Sequence, residues 1–81
     1  MSLEKLRAAR TVAGIHQVLR AVQNGAAEMV FIASDVDGRV LDPLFAACGD
    51  AGIIPDRTAT KAALGAAVHL DVGAAAVAKL R

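Results

Sequence analysis

The sequence predicts an α/β protein, a three-layer α/β/α sandwich with a small mixed sheet of about four strands. Stretches with helical periodicity alternate along the chain with apolar runs of strand length, and such alternation is typical of a sheet covered by helices. At 81 residues the chain is expected to form a single domain, residues 1–81, with one modest core.

The first third of the chain predicts a helix, a short strand and a second helix. Ser2 can cap a helix that ends near Ala9, and residues 11–13 follow as a strand. Residues 14–25 begin and end with glycine and read as a complete short helix. One apolar stripe runs along that helix at the spacing i, i+3, i+4 and i+7: Ile15, Val18, Leu19 and Val22.

The middle of the chain predicts the strand with the strongest apolar signal. Residues 29–34 form a continuous apolar run, which favours a central strand covered on both faces. Asp42 followed by Pro43 is a helix-start signal, although some helix can precede Pro43, and Gly52 is a natural end. Residues 53–59 are expected to form only a weak or edge strand, because Pro55 cannot donate a ladder hydrogen bond.

The C-terminal third predicts a helix, a loop and a last strand. Thr60 can cap a helix from Lys61 to about Ala67. Residues 68–73 are expected to form a loop, and residues 74–80 a strand. The expected core consists of the large apolar side chains Leu6, Val12, Val18, Leu19, Val22, Met29, Val30, Phe31, Ile32, Leu41, Leu44, Phe45, Ile53, Ile54, Leu64, Leu70 and Val77.

Several classes of protein and of site are disfavoured by the composition. Cys48 is the only cysteine, so an internal disulfide or a thiolate-rich metal site is excluded and a reducing compartment is favoured. The acidic turn of residues 34–38 lacks the spacing of a calcium loop, and we expect its aspartates to serve turns and helix caps. Without a long apolar run or a signal-peptide pattern, the protein is expected to be cytoplasmic, with no membrane partner, no metal and no cofactor.

Charge is distributed unevenly although the formal net charge is only +1. Residues 1–27 carry a net charge of +3, residues 28–56 of −5, and residues 57–81 of +3. If the fold joins the two basic ends, it creates a basic face with an acidic back. Such a face suits a local contact with RNA better than nonspecific binding to any polyanion.

The helix of residues 14–25 carries the candidate functional side chains. His16, Gln17 and Arg20 are neighbours on its polar side, and the first two lie in the opening turn, where free N–H groups and the macrodipole favour anions. The alternative is that these residues form an ordinary solvated face opposite the apolar stripe.

Taken together, these segments resemble the kink-turn RNA-binding ribosomal-protein family, which includes archaeal large-subunit proteins, box C/D core proteins and small bacterial ribosomal-protein-like forms. The chain is most similar to the small bacterial type. The resemblance covers nearly the whole chain and rests on the segments EKLRAARTVAG, GIHQVLRA, VFIASDVD, AACGDAGI, TKAALG and LDVGAAAVA.

The resemblance implies the roles of individual residues. In the family, the glycine-led helix places polar side chains on tandem sheared G·A pairs, and a loop near the C-terminus packs apolar residues over bulged nucleotides. Carried over, the RNA-binding residues are Gly14, His16, Gln17, Arg20, Lys61, Leu70, Asp71 and Val72. For Leu70 and Val72, inward packing into the core is an equally good interpretation.

The sequence departs from the family pattern at three places. His16 stands where relatives usually carry Asn or Lys, and Ala66 stands where a Lys commonly follows the LG pair. Residues 53–58, IIPDRT, replace a usually apolar strand. We expect the first two changes to reduce affinity for RNA and the third to loosen the sheet.

Three functions are compatible with these observations to different degrees. The favoured function is a noncatalytic, monomeric module that recognises kink-turns in structured RNA such as rRNA, with the ribosome as a candidate partner. The alternative is a ribosome or protein-interaction scaffold with weak or lost RNA binding, which Ala66 favours. An enzyme that uses His16 or His69 with an aspartate is disfavoured, because no catalytic residues are assignable and no nucleophile or phosphate loop accompanies them.

Overall fold

The computed structural model describes residues 10–81, and the helix predicted between Ser2 and Ala9 lies outside this range. The described chain runs through six elements: β1 (Thr11–Ala13), α1 (Ile15–Gln23), β2 (Ala27–Ile32), α2 (Gly38–Ala51), α3 (Lys61–Ala67) and β3 (Ala76–Leu80). None of the helices in residues 10–81 is both long and apolar enough to span a bilayer.

The three strands form an antiparallel sheet in the order β1-β3-β2. The central strand is therefore β3, and the prediction that the apolar strand β2 would be central was wrong. The alanines of β3 explain the error, because small side chains give a weak hydropathy signal. Yet Ala76, Val77 and Ala78 are completely buried, with α1 packed closely against the strand.

The predicted fourth strand is reduced to a single contact. Residues 53–59 form only one isolated parallel bridge, between Phe31 and Asp56, beside β2. In this bridge the Asp56 N–H donates to the Val30 carbonyl (2.9 Å) and the Ile32 N–H donates to the Asp56 carbonyl (2.8 Å). Pro55 has no N–H with which to extend the pairing. The prediction of a weak edge segment holds, whereas the prediction of a mixed four-strand sheet does not.

Helices cover both faces of the sheet, which confirms the α/β/α sandwich. Val30 and Ile32 pack on one face in a cluster with α1 and α2. Phe31 and Val77 pack on the other face in a cluster with α3. Because side chains alternate along a strand, consecutive residues of β2 and β3 belong alternately to one cluster and to the other. Within residues 10–81 the predicted core is confirmed in most positions, but Ile54 is 93% exposed and Leu70 is 40% exposed. The predicted core residue Leu6 lies outside the described residues.

Helix α2 begins before Asp42 and Pro43, which agrees with the prediction that some helix can precede Pro43. Its cap is Asp37, whose Oδ1 accepts a hydrogen bond from the Arg39 N–H at 2.9 Å. Pro43 lies inside the helix and removes one backbone donor. Burial of Leu41 and Leu44 on either side of the proline offsets that loss.

The other predicted helix ends are confirmed. Gly14 has a φ of 96° and precedes α1, and Gly25 follows it with a φ of 72°. The Thr60 hydroxyl accepts a hydrogen bond from the Ala63 N–H at 3.2 Å and so caps α3. Gly52 ends α2 in the left-handed conformation.

Candidate functional site

The sheet brings three connections of the chain to one of its ends. Because β3 is antiparallel to both neighbours, its first residues lie beside the last residues of β1 and β2. The Gly14 N–H, which follows β1, donates to the Ala76 carbonyl at 2.9 Å. The Ala33 N–H, which follows β2, donates to the Ala75 carbonyl at 2.8 Å. We call this end of the sheet, with Gly14 and residues 68–75, the interface end.

The start of α1 presents the polar half of the interface end. Gly14 turns the chain from β1 into the helix, and it has no side chain with which to cap the first backbone donors. His16, Gln17 and Arg20 are all exposed, whereas Val18 on the opposite side is completely buried. The helix therefore directs its polar stripe to solvent and its free N–H groups toward the interface end.

The loop of residues 68–73 forms the second half of the interface end, and close backbone contact with α3 holds it in place. A Cβ atom placed on Gly65 would lie 2.5 Å from the Gly73 Cα and 2.7 Å from the Leu70 carbonyl oxygen. Gly73 has a φ of 84°, which favours glycine, and a Cβ there would lie 3.2 Å from the Lys61 carbonyl oxygen. Two glycines are therefore required for this loop to lie against the helix.

Lys61 connects the loop to the rest of the interface end. Its carbonyl accepts a hydrogen bond from the Ala74 N–H at 3.0 Å, directly after the loop. Its own N–H donates to the Asp35 carboxylate at 2.8 Å, which ties the start of α3 to the turn after β2. Asp35 and Asp37 therefore serve a turn and a helix cap, as the sequence predicted.

The loop exposes apolar side chains. Leu70 is 40% exposed and Val72 is 94% exposed, so the interpretation that both pack inward is wrong. Asp71 between them is also exposed. Exposed apolar residues at the same end of a sheet as a polar helix start are suited to contact with a partner.

Basic residues are divided between the two ends of the sheet. Arg20 and Lys61 belong to the elements that meet at the interface end. Residues near the two ends of the described range also meet, because the Leu80 N–H donates to the Arg10 carbonyl at 2.8 Å, but they do so at the opposite end of the sheet. There Lys79 forms an ion pair with Glu28. The expected basic face also involves Lys5 and Arg7, which lie outside the described residues. Within residues 10–81, Arg20 and Lys61 are joined at the interface end by Arg57, whose guanidinium donates to the Ala33 carbonyl at 3.3 Å.

Asp35 and Asp37, in the turn after β2, are engaged by their neighbours. Asp37 pairs with Arg39 at 3.1 Å, and hydrogen bonds from the Arg39 side chain and backbone lower the pKa of that carboxyl group.

Deeper in the fold, burial raises the pKa of the Cys48 thiol, which favours an unreactive structural role.

The sequence pattern of the ribosomal protein L7Ae/L30e/S12e/Gadd45 family matches residues 2–81. The chain belongs to this family. It is 39% identical over 82 aligned positions to the RNA-binding protein YbxF of Geobacillus stearothermophilus, with both chains fully covered. It has the same identity and coverage with a protein of Geobacillus thermodenitrificans named RNA-binding protein.

Solved structures share the L7Ae-type fold. A Bacillus halodurans protein of unknown function superimposes with a TM-score of 0.87 at 25% identity, over 98% of this chain and 83% of that one. The Giardia lamblia 15.5kD RNA binding protein superimposes with a TM-score of 0.82 at 28% identity, over 98% of this chain and 68% of that one.

Within this L7Ae-family fold, sequence reasoning missed some residues that shape the site. Gly65 and Gly73 fix the loop through backbone contacts, and the Asp35 carboxylate holds the start of α3. The LG pair at Leu64–Gly65 was a signal, since a glycine inside a helix often has a packing reason. Within residues 10–81 no group of three His, Cys, Asp or Glu side chains is placed to hold a metal ion.

Proposed function

We propose that this protein is a noncatalytic module that binds structured RNA at kink-turns. The observation that carries the proposal is that two unlike surfaces, the polar start of α1 and the exposed apolar loop of residues 68–73, lie at the same end of the sheet, where Gly14 pairs with Ala76. Relatives that are 39% identical are named RNA-binding proteins, which supports RNA as the ligand.

A sharply bent RNA offers a matching surface. Its splayed bases and exposed base edges can be read by side chains that a regular duplex would not admit. His16 and Gln17 can hydrogen-bond to purine edges of the G·A pairs, and Arg20 and Lys61 can neutralise phosphates. The exposed loop with Leu70, Asp71 and Val72 would then cover the bulged nucleotides.

The small number of cations at the interface end within residues 10–81 predicts selectivity for RNA shape. With two or three phosphate contacts, the logarithm of the binding constant should fall with the logarithm of salt concentration at a slope of about −2 to −3. A protein that binds any polyanion needs many more contacts and shows a much steeper slope.

The test compares one kink-turn RNA with a matched duplex in which Watson–Crick pairs replace the tandem G·A pairs and the bulge is removed. We expect a clear preference for the kink-turn in titrations by gel shift or calorimetry, together with the shallow salt dependence. Equal affinity for both RNAs, or a slope near −8, would contradict the proposal.

A scaffold with weak RNA binding is the second candidate. It is favoured by Ala66, which is exposed on α3 and carries no charge. Introducing the family's usual residue, Ala66→Lys, distinguishes the two: a gain of a few fold is compatible with the RNA-binding module, whereas kink-turn binding that appears only in the variant indicates the scaffold.

The cellular setting is part of the same proposal. Because the family includes ribosomal proteins, rRNA is the first RNA to test as a ligand and the ribosome is the first assembly to test as a partner. The single buried cysteine suits a reducing compartment, so we place the protein in the cytoplasm.

A further inference from the structure

Helix α3 ends in a conformation that usually requires glycine. The Leu70 N–H donates to the Gly65 carbonyl at 2.7 Å and the His69 N–H to the Ala66 carbonyl at 3.3 Å. This pattern is a Schellman motif, in which the residue at the position of His69 is left-handed. His69 has a φ of 64° and is the one non-glycine residue with a positive φ within residues 10–81.

Within residues 10–81, no hydrogen bond or ion pair of the His69 side chain offsets the cost of this backbone conformation. The side chain is exposed and makes no hydrogen bond or ion pair within the described part of the chain. Glycine would adopt the same conformation without steric strain. Strained residues of this kind concentrate where a side chain is needed for a partner.

An open recess of about 460 Å³ lies next to His69. Ala62 and Ala66 line it from α3, and Leu70 and Asp71 line it from the loop. The alanines are short and leave room for a flat group, while the imidazole offers an aromatic face. Asp71 adds a carboxylate that can accept two hydrogen bonds.

We infer that this recess holds an unstacked guanine base of the bound RNA, with His69 stacking on the base and Asp71 accepting hydrogen bonds from it. Among the four bases, guanine presents two adjacent donor groups on its Watson–Crick edge, N1–H and the 2-amino group, which match a carboxylate. Stacking on aromatic side chains is the usual way in which proteins hold splayed RNA bases. The inference rests on the proposed function, and it adds a base-specific subsite to it.

The test uses kink-turn RNAs in which each unpaired position in turn carries guanosine, inosine or an abasic residue. For the parent protein we expect one position at which guanosine binds about tenfold more tightly than the abasic residue, the loss expected for one base stack. Inosine, which lacks the 2-amino group, should bind with intermediate affinity at that position.

Variants of the recess separate its two contributions. His69→Asn tolerates the left-handed backbone but lacks the ring, so it should reduce the guanosine preference over the abasic residue to less than about twofold. Asp71→Asn should abolish the discrimination between guanosine and inosine while retaining the preference over the abasic residue. His16→Asn, at the other histidine, should change affinity for all of these RNAs by the same factor.

Stability provides an independent readout. His69→Gly should raise the midpoint of thermal unfolding by about 2–5 °C, because it relieves the left-handed backbone, and it should still lose the guanosine preference. A lower midpoint would overturn the inference by showing that His69 stabilises the fold.

The remaining outcomes are also decisive. If the parent prefers kink-turns but shows no guanosine preference at any unpaired position, or if His69→Asn retains it, the inference is wrong and the proposed function stands. If Asp71→Asn retains the discrimination against inosine, the assignment of guanine is wrong. If the parent does not prefer kink-turns at all, the proposed function and the inference both fail.

Discussion

The start of α1 and the loop of residues 68–73 share one end of the sheet but differ in how each is held and in what each exposes. The helix start is set by local sequence, with Gly14 before an amphipathic stripe, and it exposes polar groups. The loop is set by tertiary contact, with Gly65 and Gly73 in backbone contact, and it exposes apolar groups. The two parts should therefore fail in different ways when they are changed.

The largest expected effect comes from closing the space between α3 and the loop. Gly65→Ala places a Cβ 2.5 Å from the Gly73 Cα and 2.7 Å from the Leu70 carbonyl oxygen. Both are backbone atoms and cannot rotate away. We expect a loss of about 2–3 kcal/mol in the free energy of unfolding, measured by urea denaturation, and weaker RNA binding because the loop is displaced.

Gly49→Ala is the matched control within α2. A Cβ there meets no atom within 4 Å, and the residue is exposed inside a helix. Alanine should therefore stabilise the protein by up to about 1 kcal/mol through helix propensity. If both variants change stability in the same direction, the loop is not held by close contact with Gly65.

The next effect concerns the polar half. Gln17→Ala should lower affinity for kink-turn RNA about tenfold, since it removes hydrogen bonds to base edges, and should leave stability within about 0.5 kcal/mol because the residue is exposed. Gln23→Ala changes the same residue type at the far end of α1 and should leave affinity unchanged. An equal loss in both variants would place the contact elsewhere on the helix.

A smaller effect is expected for the apolar half. Val72→Ser should lower RNA affinity about fivefold through lost apolar contact, with little change in stability, because the side chain is 94% exposed. Ile54 is 93% exposed and lies near the first half of β2, away from the interface end. Ile54→Ser should therefore leave affinity unchanged, and a matching loss would show that exposed apolar surface acts nonspecifically.

The same contrast explains which features could be predicted from sequence. Helix α1 was predictable because its stripe and its flanking glycines are local signals, and its polar residues were exposed as expected. The exposure of Leu70 was not decidable, because apolar loop residues pack inward or outward according to contacts distant in sequence. The central position of β3 was missed since its alanines are buried by packing that composition does not indicate.

The start of α2 shows how two local signals compete. Asp42 followed by Pro43 is the stronger helix-start pattern, yet Asp37 caps the helix. The capping hydrogen bond to Asp37 and the burial of Leu41 extend the helix past the donor that Pro43 removes. Local patterns predict that a helix is present more reliably than they predict its first residue.

The smallest expected effect lies in residues 53–59, outside both halves of the interface, and it separates stability from binding. The Thr58 hydroxyl donates to Asp56 Oδ1 at 2.6 Å and the Thr58 N–H donates to the same atom at 2.9 Å. These hydrogen bonds lower the pKa of Asp56 from its ordinary value of 3.8. A lowered folded-state pKa means that the ionised carboxylate stabilises the fold above pH 3.8 and that this contribution is lost as the pH falls below it.

Asp56→Asn should therefore cost less than about 1 kcal/mol at pH 7, since water screens this largely exposed group, and the difference from the parent should shrink at pH 3. Thr58→Val removes the hydroxyl donor and should reproduce most of the pH-dependent loss. Both variants should bind kink-turn RNA at neutral pH as the parent does. The measurement is urea denaturation at pH 7 and pH 3, and a difference that is equally large at both values would show that the side chain acts through its shape and hydrogen bonds rather than through its charge.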